Sequence, residues 1–449
     1  MCRIMNRQQA WAPAPRLVAA IALAITVLPA LAAEPGPAVE QARHLGVASC
    51  ASSLCHGSAK PTSAYSVPQN EYVTWSHFDP HSSAYRVLLE ERAAAIARRL
   101  GLPHAYEAQE CLGCHSDNVP RAARGPRFQV SDGIGCERCH GGAESWIAGH
   151  DDAPKVTHAE NLANGMLALE RPRVRAEVCL DCHVGNDTQL ASHRMMAAGH
   201  PRLAFELDTF TELWRTSGGR EHYRVDDDFF QRKGQRKGAA SASATWSAGL
   251  VAQIERQLEL IRGPQFNTGS VFPELALFNC YSCHRSMRLQ RWQDKSGGEL
   301  APGSLRFDDA SLRMLEAVVA ARRPAELQGL REQVRRWQLA AAGARPVVAD
   351  ESAALTQRVR DIDRKIATGD WARAEVRAAL DYLVTGAGRG DYPEYPAAEQ
   401  AAMSVVVLLA QLGGDAQKNA AVDDLFAALS DDDHYDASRF RQILGRLHE

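Results

Sequence analysis

The chain has 449 residues, of which 45% are hydrophobic and 23% charged, with a formal charge of −3 at pH 7. These values lie in the ordinary globular range. The mildly acidic balance argues against nucleic acid as a partner, because such surfaces are strongly basic, and the length predicts two or three domains at about 100–200 residues each.

Arg3, Arg7 and Arg16 precede an uncharged run over 17–31 that ends in Ala30-Leu31-Ala32. A positive start, an apolar stretch and a small-x-small end predict a secretory signal peptide over 1–32, cleaved after Ala32. An uncleaved anchor is the weaker alternative, since the run falls short of the roughly 20 residues that a spanning helix needs. Cys2 lies ahead of the run and so does not read as a lipoprotein anchor. No later stretch is long and apolar enough to span a bilayer, so a mature protein that does not span the membrane is expected in the periplasm.

Beyond Cys2 the ten remaining cysteines fall into five pairs: Cys50/Cys55, Cys111/Cys114, Cys136/Cys139, Cys179/Cys182 and Cys280/Cys283. In an exported chain, cysteine pairs would ordinarily suggest disulfides. Here each second cysteine is followed at once by a histidine: His56, His115, His140, His183 and His284. Four of the motifs are strict C-x-x-C-H. Two thiols one helical turn apart can add to the two vinyl groups of one haem, and the adjacent imidazole then serves as proximal iron ligand. Histidine directly after the second cysteine is not zinc-finger spacing. The first pair has four intervening residues, and a disulfide or a metal loop competes there with a haem. About five covalently attached haems c are expected.

Eleven further histidines decide whether the irons are six- or five-coordinate. Candidate second ligands are His81, in Asp79-Pro80-His81 ahead of an amphipathic segment with Tyr85, Leu88, Leu89 and Ile96, and His150, ten residues after His140. His193 and His200 are also candidates, bracketing a short helical segment with Arg194-Met195-Met196. His158 and His222 come next, followed by His44, His77 and His104, while His434 and His448 lie far from every motif. Met195 or Met196 is a minor alternative axial ligand, since methionine on a helix more often fills core.

All motifs lie within 33–300, a stretch broken by Gly and Pro, as a chain wrapped around cofactors would be. A doubled Gln-Arg-Lys-Gly at 231–238 reads as a solvated loop, or as a basic turn facing haem propionates or an acidic partner. Gly133-Ile-Gly135 runs straight into Cys136 and is no nucleotide loop. Near 245–262, Trp246, Leu250, Ile254, Leu258 and Ile261 share one helical stripe. From 301 to 449 there is no cysteine, and alanine-rich amphipathic segments recur near 309–323, 325–341, 351–367, 370–384, 396–412 and 417–429. Pro324 and Pro396 mark starts, and Gly386 and Gly413 mark stops. The expected fold is mainly α: a haem-wrapped region with sparse regular structure over 33–300, then an all-helical region over 301–449.

These residues resemble the cytochrome c-554 family of multihaem proteins, related in haem arrangement to the hydroxylamine oxidoreductase group. The likeness rests on Cys50–Gly57, Asp79-Pro80-His81, Cys111–His115, Gly135–Gly141 and Cys179–His183, over roughly 44–200. The resemblance implies a mainly helical fold, closely packed and mostly bis-histidine haems, and periplasmic respiratory work. The chain departs from the family in its fifth motif, its longer first spacer and its C-terminal helices. The leading expectation is an electron carrier, with redox proteins as partners: a quinol-oxidising membrane protein or other cytochromes. The alternative is a multihaem oxidoreductase acting on a small nitrogen or sulfur compound at one five-coordinate haem. A nitrite-reductase reading is weakened by the lack of a C-x-x-C-K motif.

Overall fold

The computed structural model describes residues 42–447 apart from 65, 151–154, 210, 212–221, 235–240, 267–271, 285–303, 368–369, 414–415 and 433. The expected signal peptide, His448 and the second Gln-Arg-Lys-Gly lie outside the described residues. The fold is mainly α. Among the described residues there is no strand, only two isolated bridges, His44–Arg124 and Phe278–Phe307.

Up to residue 233 the helices are short and joined by 3₁₀ turns and loops. They are α1 (Glu71–Phe78), α2 (Glu91–Leu100), α3 (Gln109–His115), α4 (Cys136–His140), α5 (His158–Ala163), α6 (Pro172–His183), α7 (His193–Ala197) and α8 (Asp227–Lys233). The buried apolar side chains here form only small separate clusters, such as Leu88 with Ala97 and Leu112, or Leu100 with Met195 and Ala198. A region this long normally builds one contiguous core. Its apolar side chains do not suffice, as expected where bulky cofactors fill the interior. The first Gln-Arg-Lys-Gly corrects the loop expectation. Residues 231–233 close α8, which Asp226 caps by accepting the Phe229 N–H at 3.0 Å, and Gly234 ends it at φ +61°.

The C-terminal helices are packed differently. They are α9 (Ala242–Arg262), α10 (Ala310–Arg322), α11 (Pro324–Ala340), α12 (Arg345–Ile366), α13 (Arg373–Arg389), α14 (Tyr395–Leu412), α15 (Ala416–Ala428) and α16 (Ala437–Gly445). Together they enclose one continuous apolar core. Helix α9 is the link, for it packs on α6 of the motif region and on α10, α12 and α14. Its Trp246 is fully buried and donates from Nε1 to Ser404 Oγ at 2.9 Å. Helix α14 is apolar on nearly every side and correspondingly buried.

Two bounds differ from expectation. Helix α12 begins at Arg345 because Pro346 fits the first turn, where no N–H is needed. Helix α13 runs through Gly386 and stops at Gly390, where φ is +83°. Helix α16, capped by Asp436, has no counterpart among the expected segments.

An aromatic stack seats the fifth motif on this core. Phe278 lies 4.8 Å from Phe307, and Phe307 lies 4.7 Å from Trp337, ring centre to ring centre. Trp337 is fully buried and donates to Ser352 Oγ at 3.1 Å. Replacing Trp337 by Ala is expected to destabilise the helical region by about 3–5 kcal/mol, the range for truncating a buried aromatic. Urea unfolding followed by far-UV circular dichroism measures this, and a loss below about 1 kcal/mol would show that the stack is not a centre of stability.

Candidate haem sites

The four strict motifs are set on short helical turns. Helix α3 ends in Cys111, Cys114 and His115, α4 spans Cys136 to His140, α6 ends in Cys179, Cys182 and His183, and Cys280 opens a 3₁₀ turn before Cys283 and His284. Residues three apart on a helix share a face, so each strict pair presents both thiols to one side. Asn279 starts the last turn by accepting the Tyr281 N–H at 2.9 Å. The longer first spacer folds into a turn as well, with the Cys55 N–H on the Ser52 carbonyl at 2.9 Å and the His56 N–H on the Cys50 carbonyl at 3.3 Å. None of the ten cysteines is joined to another by a disulfide in this structure.

Glycine follows two of the motif histidines for a steric reason. A Cβ on Gly57 would lie 2.1 Å from the Ala51 carbonyl oxygen. Gly141 has φ +84°, and a Cβ there would lie 2.6 Å from the Gly165 oxygen.

Each motif histidine faces a second histidine from a distant part of the chain. The ring centres are 6.1 Å apart for His56 and His150, 6.1 Å for His183 and His81, and 6.3 Å for His115 and His200. They are 6.3 Å apart for His140 and His222, and 6.1 Å for His284 and His193. Imidazoles in contact would stand closer. Metal–nitrogen bonds of about 2 Å on each side, with roughly 1 Å from each nitrogen to its ring centre, put two imidazoles sharing one metal about 6 Å apart. Among the described residues, no group of three or more His, Cys, Asp and Glu forms a metal cage. Opposed pairs without a cage suit a metal whose remaining ligands come from a macrocycle.

The rings are held from behind. His115, His150 and His200 have Nδ1 on the carbonyls of Ala84 (2.9 Å), Ile147 (2.7 Å) and Pro201 (2.8 Å). His56 has Nδ1 on Glu71 Oε2 and His81 has Nδ1 on Asp79 Oδ1, both at 2.8 Å. Such bonds turn Nε2 toward the space between the paired rings and fix the tautomer. The hydrogen bond to Glu71 raises the His56 pKa above the usual imidazole range, and that to Asp79 does the same for His81.

All four histidines singled out from sequence (His81, His150, His193 and His200) stand opposite a motif histidine. His222, an intermediate candidate by sequence beside His158, stands opposite His140. The other spare histidines are engaged elsewhere. His44 has Nδ1 2.6 Å from Asp117, His158 lies 3.1 Å from Glu170, and His104 stacks on Tyr106 with ring centres 5.0 Å apart. His77 lies beside Phe78, and exposed His434 pairs with Asp431. Met195 is core filler with Leu100 and Ala198.

Attachment points of different motifs adjoin. Cys50 lies beside Cys136, and Cys114 beside Cys182, with the Arg138 guanidinium 3.9 Å from Cys182 Sγ. Sequence reasoning missed Glu137, inside the third motif. It is buried, and its carboxylate accepts the N–H groups of Leu45 (2.7 Å), Gly46 (2.7 Å) and Ala143 (2.8 Å). Among the described residues, buried donors without a protein acceptor include Trp146 Nε1, beside His150, and Arg175 Nε, one turn ahead of Cys179 on α6. Orphaned buried donors are rare, and these are suited to the propionates of a haem. Thiol pairs, opposed imidazoles and unsatisfied donors all fit that group.

Residues 42–141 match the family model described as cytochrome c554 and c-prime. No curated protein and no solved structure matches the chain. Among the described residues, no helix is long and apolar enough to cross a membrane. The matched stretch holds three of the five motifs, and its match supports a c-type cytochrome of the c554 type with covalently bound haem c and a part in electron transfer.

Proposed function

We propose that the protein carries electrons through five haems c, each bound by two histidines. The pairs are His56 with His150, His183 with His81, His115 with His200, His140 with His222, and His284 with His193. The haems are attached at Cys50/Cys55, Cys111/Cys114, Cys136/Cys139, Cys179/Cys182 and Cys280/Cys283. The observation that carries the reading is the common ring separation of 6.1–6.3 Å in all five pairs. A haem with two imidazole ligands supplies a one-electron Fe(III)/Fe(II) couple. The chain's part is to hold the ten imidazoles and to orient His56, His81, His115, His150 and His200 through their Nδ1 bonds.

The place of work in this reading is the periplasm, reached by the signal peptide over 1–32. The partners are redox proteins: a quinol-oxidising membrane protein or other cytochromes. A multihaem region over 33–300 does the carrying, and the helical region over 301–449 supports the fifth motif. That support rests on Tyr281, whose hydroxyl donates to the Asp432 carbonyl at 2.7 Å, and on Asn279, whose side-chain amide donates to Glu394 at 2.6 Å.

Intact mass and ferric EPR test this together. Five haem increments and only low-spin signals, unchanged by nitrite, hydroxylamine or sulfite, are expected. Four increments would remove the first site, because its spacer is the irregular one. A high-spin signal that shifts on adding one of these ligands would transfer the function to the oxidoreductase alternative.

A further inference from the structure

We propose that Glu71 and Asp79, at the two ends of α1, set the reduction potentials of two of the five sites by drawing the Nδ1 proton of an axial histidine toward a carboxylate. The inference rests on the five-haem bis-histidine reading.

The five paired imidazoles with a defined Nδ1 acceptor divide into two kinds. His115, His150 and His200 donate to neutral backbone carbonyls, of Ala84, Ile147 and Pro201. His56 and His81 instead donate to carboxylates, each at 2.8 Å. A carboxylate is the stronger acceptor, and charge-assisted bonds are roughly twice as strong as neutral ones. Pulling the Nδ1 proton away makes Nε2 more basic, and a more basic ligand favours the ferric over the ferrous state. The carboxylate-bonded sites, His56 with His150 and His81 with His183, therefore lie lower in potential than they would with carbonyl acceptors.

Both carboxylates are fixed rather than free to swing. Glu71 is buried, and its second oxygen accepts the Gln69 N–H at 3.1 Å. Asp79 Oδ1 also accepts the His81 backbone N–H at 2.9 Å, which makes it the cap of the following 3₁₀ turn. Helix α1 has only eight residues, with Glu71 as its first and Asp79 directly after its last. One short element thus biases two sites from opposite ends. Glu71 and Asp79 are positioning residues that act through the histidines they hold.

The test compares the full-length holoprotein with Glu71→Gln, Asp79→Asn and the conservative variants Glu71→Asp and Asp79→Glu. Each is loaded to the same haem count by intact mass. A redox titration followed at the haem absorption bands reads the potentials, and ferric EPR reads the ligand field. In each amide variant one component is expected to move to more positive potential, and the low-spin EPR signal of one haem is expected to shift with it. The conservative variants move less, and the double amide variant moves two components. A titration superimposable on that of the unmodified protein, at full haem count and low spin, would overturn the proposal. So would a shift in potential with no change in the EPR signal, which would mean that simple charge removal is responsible. If the unmodified protein itself has fewer than five haems or a high-spin iron, the five-haem reading fails instead, and the titration does not confuse the two failures.

Discussion

Replacing His200 by Ala is expected to convert one low-spin ferric haem to high spin and to let the ferrous protein bind carbon monoxide at that site alone. The His200 ring faces His115 across 6.3 Å and is oriented by its Nδ1 bond to the Pro201 carbonyl at 2.8 Å. Without it, His115 remains as the single imidazole. The iron then has an open position, and an iron with one histidine is open to small ligands.

The surrounding turn should survive the change because other residues hold it. Arg99 donates to the Ala198 carbonyl at 2.9 Å and Arg92 to the Gly199 carbonyl at 3.1 Å. His104→Ala serves as the control, since His104 stacks on Tyr106 and faces no motif histidine. EPR and carbon monoxide difference spectra check both variants. No high-spin signal in His200→Ala, or an equal signal in His104→Ala, would remove His200 from the ligand set.

The second large effect concerns stability. Glu137→Ala is expected to destabilise the motif region by about 3–6 kcal/mol. Three backbone N–H groups, of Leu45, Gly46 and Ala143, lose their acceptor at once, and each unsatisfied buried group costs about 1–3 kcal/mol. Against a total stability of about 5–15 kcal/mol this is a large fraction. Glu137→Gln keeps an oxygen acceptor and is expected to lose about half as much. Urea unfolding gives the magnitude, and limited proteolysis near residue 45 gives the location. Equal stability of Glu137→Ala and the unmodified protein would show that water replaces the carboxylate without loss.

The five cysteine–histidine motifs were legible in the sequence because their spacing is local. Covalent addition of two thiols to one haem imposes a short spacing, and the proximal imidazole must adjoin the second thiol, so five motifs could be read without the fold. The C-terminal helices were legible for a similar reason. Their apolar stripes repeat over several turns, and Pro396 and Gly413 stand at the two ends of α14. Bounds failed where local signals were ambiguous. Gly386 looked like a stop, yet only Gly390 takes the left-handed conformation that ends α13.

Where each spare histidine stands was decided by tertiary structure. His44 and His222 differ little as residues in a sequence, but the fold sets His44 against Asp117 and His222 opposite His140. The role of Glu137 was equally invisible, since the N–H groups that donate to it, at 45, 46 and 143, are brought together only by the folded loops. A proximal ligand is specified by its neighbours in the chain. A distal ligand, a buried acceptor or a carboxylate behind an imidazole is specified by where the backbone returns in space, and no short-range pattern encodes that return.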